Sequence, residues 1–187
     1  MQFHRRSIRL PEYDYASYGW YFVTICAQDR ELYFENKNIN KLIDFYWRNL
    51  KNKFENIDLD EYVIMPNHLH GIIVINNSVG ATLVVAHDVV AHNNRAGTRP
   101  APTKNKPTLG NIIGAFKSTT TDRYAQGVKT KNWPWFAGRL WQRNYYERII
   151  RNNQELNRIR LYIQNNPANW ETDRNNPKNF ENQKIKN

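Results

Sequence analysis

His68 and His70 stand two residues apart in the apolar run Glu61-Tyr-Val-Ile-Met-Pro-Asn-His-Leu-His-Gly-Ile-Ile-Val-Ile75. In a strand, residues i and i+2 share a face, with backbones about 7 Å apart. Two imidazoles so placed can bind one divalent cation together. A bare His-x-His also arises by chance, so the reading needs further donors. Tyr162 and Asn166 are four apart in Asn153-Gln-Glu-Leu-Asn-Arg-Ile-Arg-Leu-Tyr-Ile-Gln-Asn-Asn-Pro167, and on a helix they share a face. Tyr162 brings a phenol that can act as a nucleophile, and Asn166 a carbonyl oxygen that can complete a hard metal's shell. The plainer readings are a tyrosine at a helix rim and an asparagine capping a helix before proline.

Composition narrows the partner. The chain has 187 residues, 40% hydrophobic and 24% charged, enough for one domain with a core. Lys and Arg number 27 against 17 Asp and Glu, a net charge of +10, and 13% of residues are aromatic. With a pI near 9.7, this balance favours nucleic acid: cations neutralise phosphates and aromatic faces stack unpaired bases. Cys26 is the only cysteine, which excludes an internal disulfide and a cysteine zinc knuckle. In Tyr21-Phe-Val-Thr-Ile-Cys26 it reads as a buried thiol. No apolar stretch reaches the roughly 18 residues of a membrane span, and Met1 to Ser7 lacks the apolar core of a secretory signal. The expectation is a reducing, cytoplasmic setting.

The elements that must position these groups follow from pattern. Residues 1–18 form a basic, tyrosine-rich arm. Tyr21 to Ala27 is a strand, and a helix capped by Asn38 or Asn40 runs to about Asn52, with Leu42, Ile43, Phe45, Tyr46 and Leu50 at helical spacing. Asp60 to Met65 and His68 to Ile75 are strands separated by Pro66-Asn67. Val84-Val-Ala-His-Asp88 recurs as Val89-Val-Ala-His-Asn93, and the segment 76–107 is broken by Pro, Asn and Gly, so it reads as a mobile insert in which His87 and His92 are bystanders, as is His4. Thr108 caps a helix over 109–125. Leu140 to Ile150 reads as a strand and turn. Asn152 with Glu155 resembles a capping box for the last helix, which stops before Pro167, and residues 171–187 read as a flexible tail. The order predicts an α+β fold: a ferredoxin-like split βαβ, with a four-stranded antiparallel sheet, helices on one face, and an added C-terminal helix.

His-x-His on a strand, Tyr-Ile-x-x-Asn-Pro on a late helix and a basic chain together resemble the REP-associated tyrosine transposases of the single-tyrosine HUH nuclease superfamily. The matching residues are Val63 to Gly71, the helix around Leu109-Gly110 and Phe116-Lys117, Leu140-Trp-Gln142, Tyr145-Tyr-Glu-Arg-Ile-Ile-Arg151 and Leu161-Tyr-Ile-Gln-Asn-Asn-Pro167. The resemblance covers roughly residues 10–170 apart from the 76–107 insert, and it implies an HUH transposase domain over 19–170. It further implies a metal-dependent single-stranded DNA endonuclease and strand transferase, active in DNA transposition and recombination. His68, His70 and Asn166 would hold Mg²⁺ or Mn²⁺, and Tyr162 on the catalytic C-terminal helix would attack a phosphate to leave a 5′-phosphotyrosine intermediate and a free 3′-OH. The partner would be single-stranded or hairpin DNA of repetitive palindromic elements, and the protein a monomer or homodimer.

Lys117, Arg143, Arg148 and Arg151 are candidates for DNA phosphates. Trp141, Tyr145 and Tyr146 suit either base stacking or the core. Tyr145 and Tyr146 are rival nucleophiles, but Ile149 and Ile150 stand four positions on, where a metal-competent residue is needed. Two other readings stay open: a non-catalytic nucleic-acid-binding module on the same sheet, and a hydrolytic endonuclease using water. No residue is identified as the general base for a phenol whose ordinary pKa is near 10.

Overall fold

The computed structural model describes Leu10 and residues 12–76 and 106–179. Most of the basic arm and of the 76–107 insert, with His4, His87 and His92, lies outside the described residues, as do residues 180–187.

Four strands, β1 (Gly19–Cys26), β2 (Ile57–Met65), β3 (His68–Ile75) and β4 (Tyr146–Ile150), form one sheet in the order β2-β3-β1-β4. Every pairing is antiparallel. Pro66 and Asn67 alone connect β2 to β3, and a register shift between Leu59 and Tyr62 bends β2. The helices are α1 (Lys37–Arg48), the short α2 (Leu50–Lys53), α3 (Leu109–Lys131) and α4 (Asn153–Asn165). This is the expected α+β sheet, with one refinement: the helices occupy both faces.

Strand alternation decides which residues meet which helices. Tyr21, Val23 and Ile25 of β1 and Leu69, Ile73 and Ile75 of β3 join the main core with Ile39, Ile43 and Trp47 of α1 and Leu109, Ile112, Ile113 and Phe116 of α3. The opposite face carries a smaller core, in which Phe22, Ile72 and Ile150 meet Leu156, Ile159 and Ile163 of α4. His68 and His70 share the parity of Ile72, so both project toward the α4 side. All eight residues of β3 are buried, as expected of a central strand covered on both faces.

Local chemistry sets the helix ends. Asn36, rather than Asn38 or Asn40, caps α1 by accepting from the Asn38 and Ile39 N–H groups, because the 3₁₀ turn Tyr33–Glu35 delivers the chain there. Thr108 and Asn111 form a reciprocal capping box, and α3 runs on to Lys131. Asn152 accepts from the Glu155 N–H, but the Glu155 carboxylate reaches Arg151 N–H and Arg148 Nε instead of its own cap. β4 begins at Tyr146 rather than Leu140. The Gln142 and Asn144 carbonyls are taken by Lys117 Nζ, and before β4 only the bridge between Ala27 and Trp141 pairs with the sheet.

Gly71 follows His70 and faces Trp47. A Cβ there would collide with Trp47 Cζ2 and lie 3.0 Å from Cη2, and Trp47 is fully buried. Gly71→Ala should therefore destabilise the fold by about 1–3 kcal/mol through overpacking, read from the midpoint of urea unfolding.

Candidate active site

α4 is fastened to the sheet before its chemistry begins. Arg160 Nε and Nη2 donate to the two Asp60 carboxylate oxygens on β2 at 2.8 and 2.6 Å, and Gln164 donates to Glu61. Burial raises the Asp60 carboxyl, but the Arg160 hydrogen bonds and the Glu61 N–H outweigh it and hold the group below its ordinary range. This two-point fork sets the rotation of α4, so Tyr162, two residues past Arg160, points along the sheet toward β3.

The Tyr162 hydroxyl lies 3.2 Å from His70 Nε2, its ring centroid 5.2 Å from that imidazole and 6.0 Å from Phe22. The two pieces of sequence are 92 residues apart, and one chain brings them together. His70 Nδ1 is 2.8 Å from Thr24 Oγ1, its cross-strand partner on β1. His68 Nδ1 is 2.8 Å from Asn67 Oδ1. The two Nε2 atoms are 3.0 Å apart, far closer than their Cα atoms, because the rings lean together. Of the three candidate tyrosines only Tyr162 contacts a histidine among the described residues. Tyr145 is buried in the main core, and Tyr146 meets Phe22 edge-on.

An acidic donor enters from outside the expected set. After α4 the chain makes a 3₁₀ turn over Pro167–Thr172, and residues 173–179, expected as tail, fold back over the sheet end with Asn175 and Asn176 buried. Asp173 Oδ2 comes within 3.8 Å of His68 Nε2. His68, His70 and Asp173 each offer a ligand atom within 4.8 Å of the others. No periodicity or motif in the Asn- and Lys-rich tail marks Asp173; its role comes from the return of the chain.

The donor set fits a divalent cation. Asn67 Nδ2 donates to the Arg30 and Asn175 carbonyls, so its Oδ1 must accept from His68 Nδ1–H, leaving the His68 Nε2 lone pair bare. Thr24 can accept from or donate to His70 Nδ1 and so suits either tautomer. With Nδ1–H on both rings, two lone pairs confront each other at 3.0 Å, an arrangement a cation relieves. Asn166 is buried, and its Oδ1 has no partner within the described structure. Burial raises the Tyr162 phenol above its ordinary value, and Asn166 opposes this.

Burial, helped by the neighbouring Arg30 and Arg174 cations, pushes the His68 imidazole down to about 3. Burial and the neighbouring His68 push His70 down to about 3 as well. The site thus holds neutral imidazoles, the form that ligates metal. The unfolded chain binds protons near the ordinary imidazole value of about 6.5, which the folded chain refuses until far lower pH. The stability these histidines allow is full above about pH 6.5 and is lost as pH falls toward the folded values. The Tm should drop between about pH 7.5 and about pH 5, and His68→Gln/His70→Gln should flatten that slope.

The four basic candidates separate. Lys117 braces the 142–144 loop through two carbonyls at 2.8 and 2.9 Å, and desolvation lowers it to about 8. Arg143 is exposed on that loop, which bonds to Cys26, the cross-strand partner of His68. Arg148 pairs with Glu155 at 2.6 Å, and Arg151 is exposed at the start of α4. Trp141 is buried and donates to Thr120.

A four-stranded antiparallel sheet with paired histidines on its central strand and a tyrosine helix laid across that face defines a class of α+β protein. The solved structure of a REP-associated tyrosine transposase bound to a REP hairpin is similar to this chain in its backbone fold, with a TM-score of 0.55 and 15% identity, covering 88% of this chain and 73% of that one. No family model matches the chain. A Haemophilus influenzae protein described only as uncharacterized is 39% identical over 178 residues, spanning 91% of this chain and 92% of the relative. The chain belongs to the family of that Haemophilus protein. No helix among the described residues is long and apolar enough to cross a membrane.

Proposed function

We propose that this protein is a metal-dependent single-stranded DNA endonuclease and strand transferase, a tyrosine transposase of the HUH type. The observation that carries the reading is the Tyr162 hydroxyl 3.2 Å from His70 Nε2, beside the grouped ligand atoms of His68, His70 and Asp173, while Asn166, one turn on along α4, keeps a buried oxygen without a partner. His68, His70 and Asn166, with Asp173 added, would hold Mg²⁺ or Mn²⁺. Bound there, the ion would neutralise phosphate charge and polarise the phosphorus.

The chain's own groups do the rest. Asn166 favours the ionised form of the phenol, and the His70 ring, 5.2 Å from the Tyr162 ring, orients it. The Tyr162 oxygen forms a bond to phosphorus as the bond from phosphorus to the 3′ oxygen breaks. The phenol proton leaves and the departing 3′ oxygen gains one, yielding a 5′-phosphotyrosine and a free 3′-OH. The bond energy is kept, so another 3′-OH can reverse the step and join a new end. The solved neighbour's REP hairpin makes hairpin or repeat DNA the first substrate to try, which would place the protein with the bacterial cytoplasmic DNA. Arg143, Arg148 and Arg151 would meet phosphates, while Lys117 would act by bracing the loop that carries Arg143. The working domain is 19–170 extended by Asp173, and one chain carries every group named, whether it acts as monomer or homodimer.

The test is a denaturing gel of protein with labelled single-stranded hairpin DNA and Mn²⁺. A DNA-sized shift of the protein band supports the reading. Free 5′-phosphate ends without an adduct would point to a water nucleophile, and EDTA-insensitive binding with no cleavage to a non-catalytic module.

A further inference from the structure

Asn67 reads in the sequence as half of a turn, yet no part of its side chain faces solvent. Its Nδ2 donates to the Asn175 carbonyl at 2.7 Å and to the Arg30 carbonyl at 2.9 Å. Its Oδ1 accepts from His68 Nδ1 at 2.8 Å, and its own carbonyl accepts from Ala27 N–H at 2.8 Å. Both amide hydrogens are committed to carbonyls, which can only accept, so the amide cannot turn over. One side chain therefore performs two tasks. It keeps the proton on His68 Nδ1 and leaves Nε2 bare, and it ties down Asn175, whose N–H in turn donates to Asp173 Oδ1 at 2.6 Å. Asp173 is the carboxylate that faces His68 Nε2.

We infer that Asn67 is a positioning residue that makes cation binding and the docking of residues 173–176 a single coupled equilibrium. The inference rests on the metal-site reading above. A turn would tolerate Gly, Asp or Ser at this position; a clamp with one acceptor toward an imidazole and two donors toward carbonyls needs the asparagine amide. Coupling is reciprocal: a cation at the histidines holds the 173–176 segment in place, and the docked segment raises affinity for the cation.

The experiment uses the full chain without DNA, with Mn²⁺ alone as ligand, followed by calorimetry, by hydrogen exchange at 173–176 and by imidazole ¹⁵N shifts. In the wild type, Mn²⁺ slows exchange at 173–176, and His68 shows the Nδ1–H tautomer. Asn67→Ala should weaken Mn²⁺ binding about 10- to 100-fold, the usual cost of losing a group that orients a metal ligand, with a mixed His68 tautomer. Asn67→Asp separates the two tasks: it still accepts from His68 but cannot hold both carbonyls. His68 should keep its tautomer while exchange at 173–176 quickens and Mn²⁺ binding weakens. A merely structural role would move neither the tautomer nor the Mn²⁺-dependent part of the exchange. The inference is overturned if folded Asn67→Ala binds Mn²⁺ as the wild type does, or if Asn67→Asp leaves exchange at 173–176 unchanged. Asn67→Asp decides the matter alone should the alanine variant not fold. A wild type that binds no Mn²⁺ would sink the metal reading itself, a result distinguishable from failure of the clamp.

Discussion

Tyr162→Phe should abolish the covalent protein–DNA adduct while leaving the fold in place. Its hydroxyl contacts His70 at 3.2 Å, and the ring keeps its packing on Phe22 and His70. Losing one partly exposed hydroxyl costs about 0.5–1.5 kcal/mol, small enough for thermal unfolding to remain cooperative. The proposed catalysis has no such margin, because in it the phenol oxygen is the atom that would bond to phosphorus. A loss of at least about 10³-fold in adduct formation is expected, with single-stranded DNA binding within a few-fold of wild type. Tyr145 lies in the core, and Tyr146 contacts Phe22 rather than a histidine, so neither is placed to substitute. An adduct that persists in Tyr162→Phe under Mn²⁺ would refute the assignment.

The second large effect is expected at His70, which contacts both His68 and Tyr162 and so joins the proposed metal donors to the proposed nucleophile. It contacts Thr24, His68 and Tyr162 through its two ring nitrogens and stacks on Phe22 at 5.4 Å. His70→Ala removes a donor outright, where removal of an orienting group alone costs about 10–100-fold in affinity. Mn²⁺ affinity should fall by more than about 100-fold, and adduct formation with it, while excess EDTA should produce the same loss of adduct in the wild type. The substitution also leaves a cavity under α4, so Tm is read in parallel. Calorimetry showing His70→Ala binding Mn²⁺ as tightly as the wild type would remove His70 from the donor set.

The strands and the final helix were legible because their signals are local. Alternation over His68 to Ile75 and helical spacing of Leu156, Ile159 and Ile163 are properties of short segments, and both elements stand where the pattern put them. The boundaries that moved were set by distant groups. Lys117, from α3, occupies the Gln142 and Asn144 carbonyls and delays β4 to Tyr146, which no window around Leu140 could reveal. The segment after Asn169 looked polar enough to fray, yet two of its asparagines are buried: the Asn175 carbonyl accepts from the distant Asn67 side chain, and Asn176 Nδ2 donates to the Trp170 carbonyl.

The amino-acid sequence by itself determined that two histidines share one face of a buried strand and that Tyr162 and Asn166 share one face of a helix, since both facts follow from the 2.0 and 3.6 periodicities of the backbone. It also determined the positive charge that suits the chain to a polyanion. The tertiary structure decided that these two faces meet. The Arg160–Asp60 fork and the small core under α4 fix the helix rotation on the sheet. It also decided that Asp173 and the Asn67 amide belong to the same centre. Periodicity cannot encode the Tyr162–His70 and Asn67–Asn175 contacts, because they join residues 92 and 108 positions apart, and their geometry comes from packing across the sheet rather than from any local run of residues.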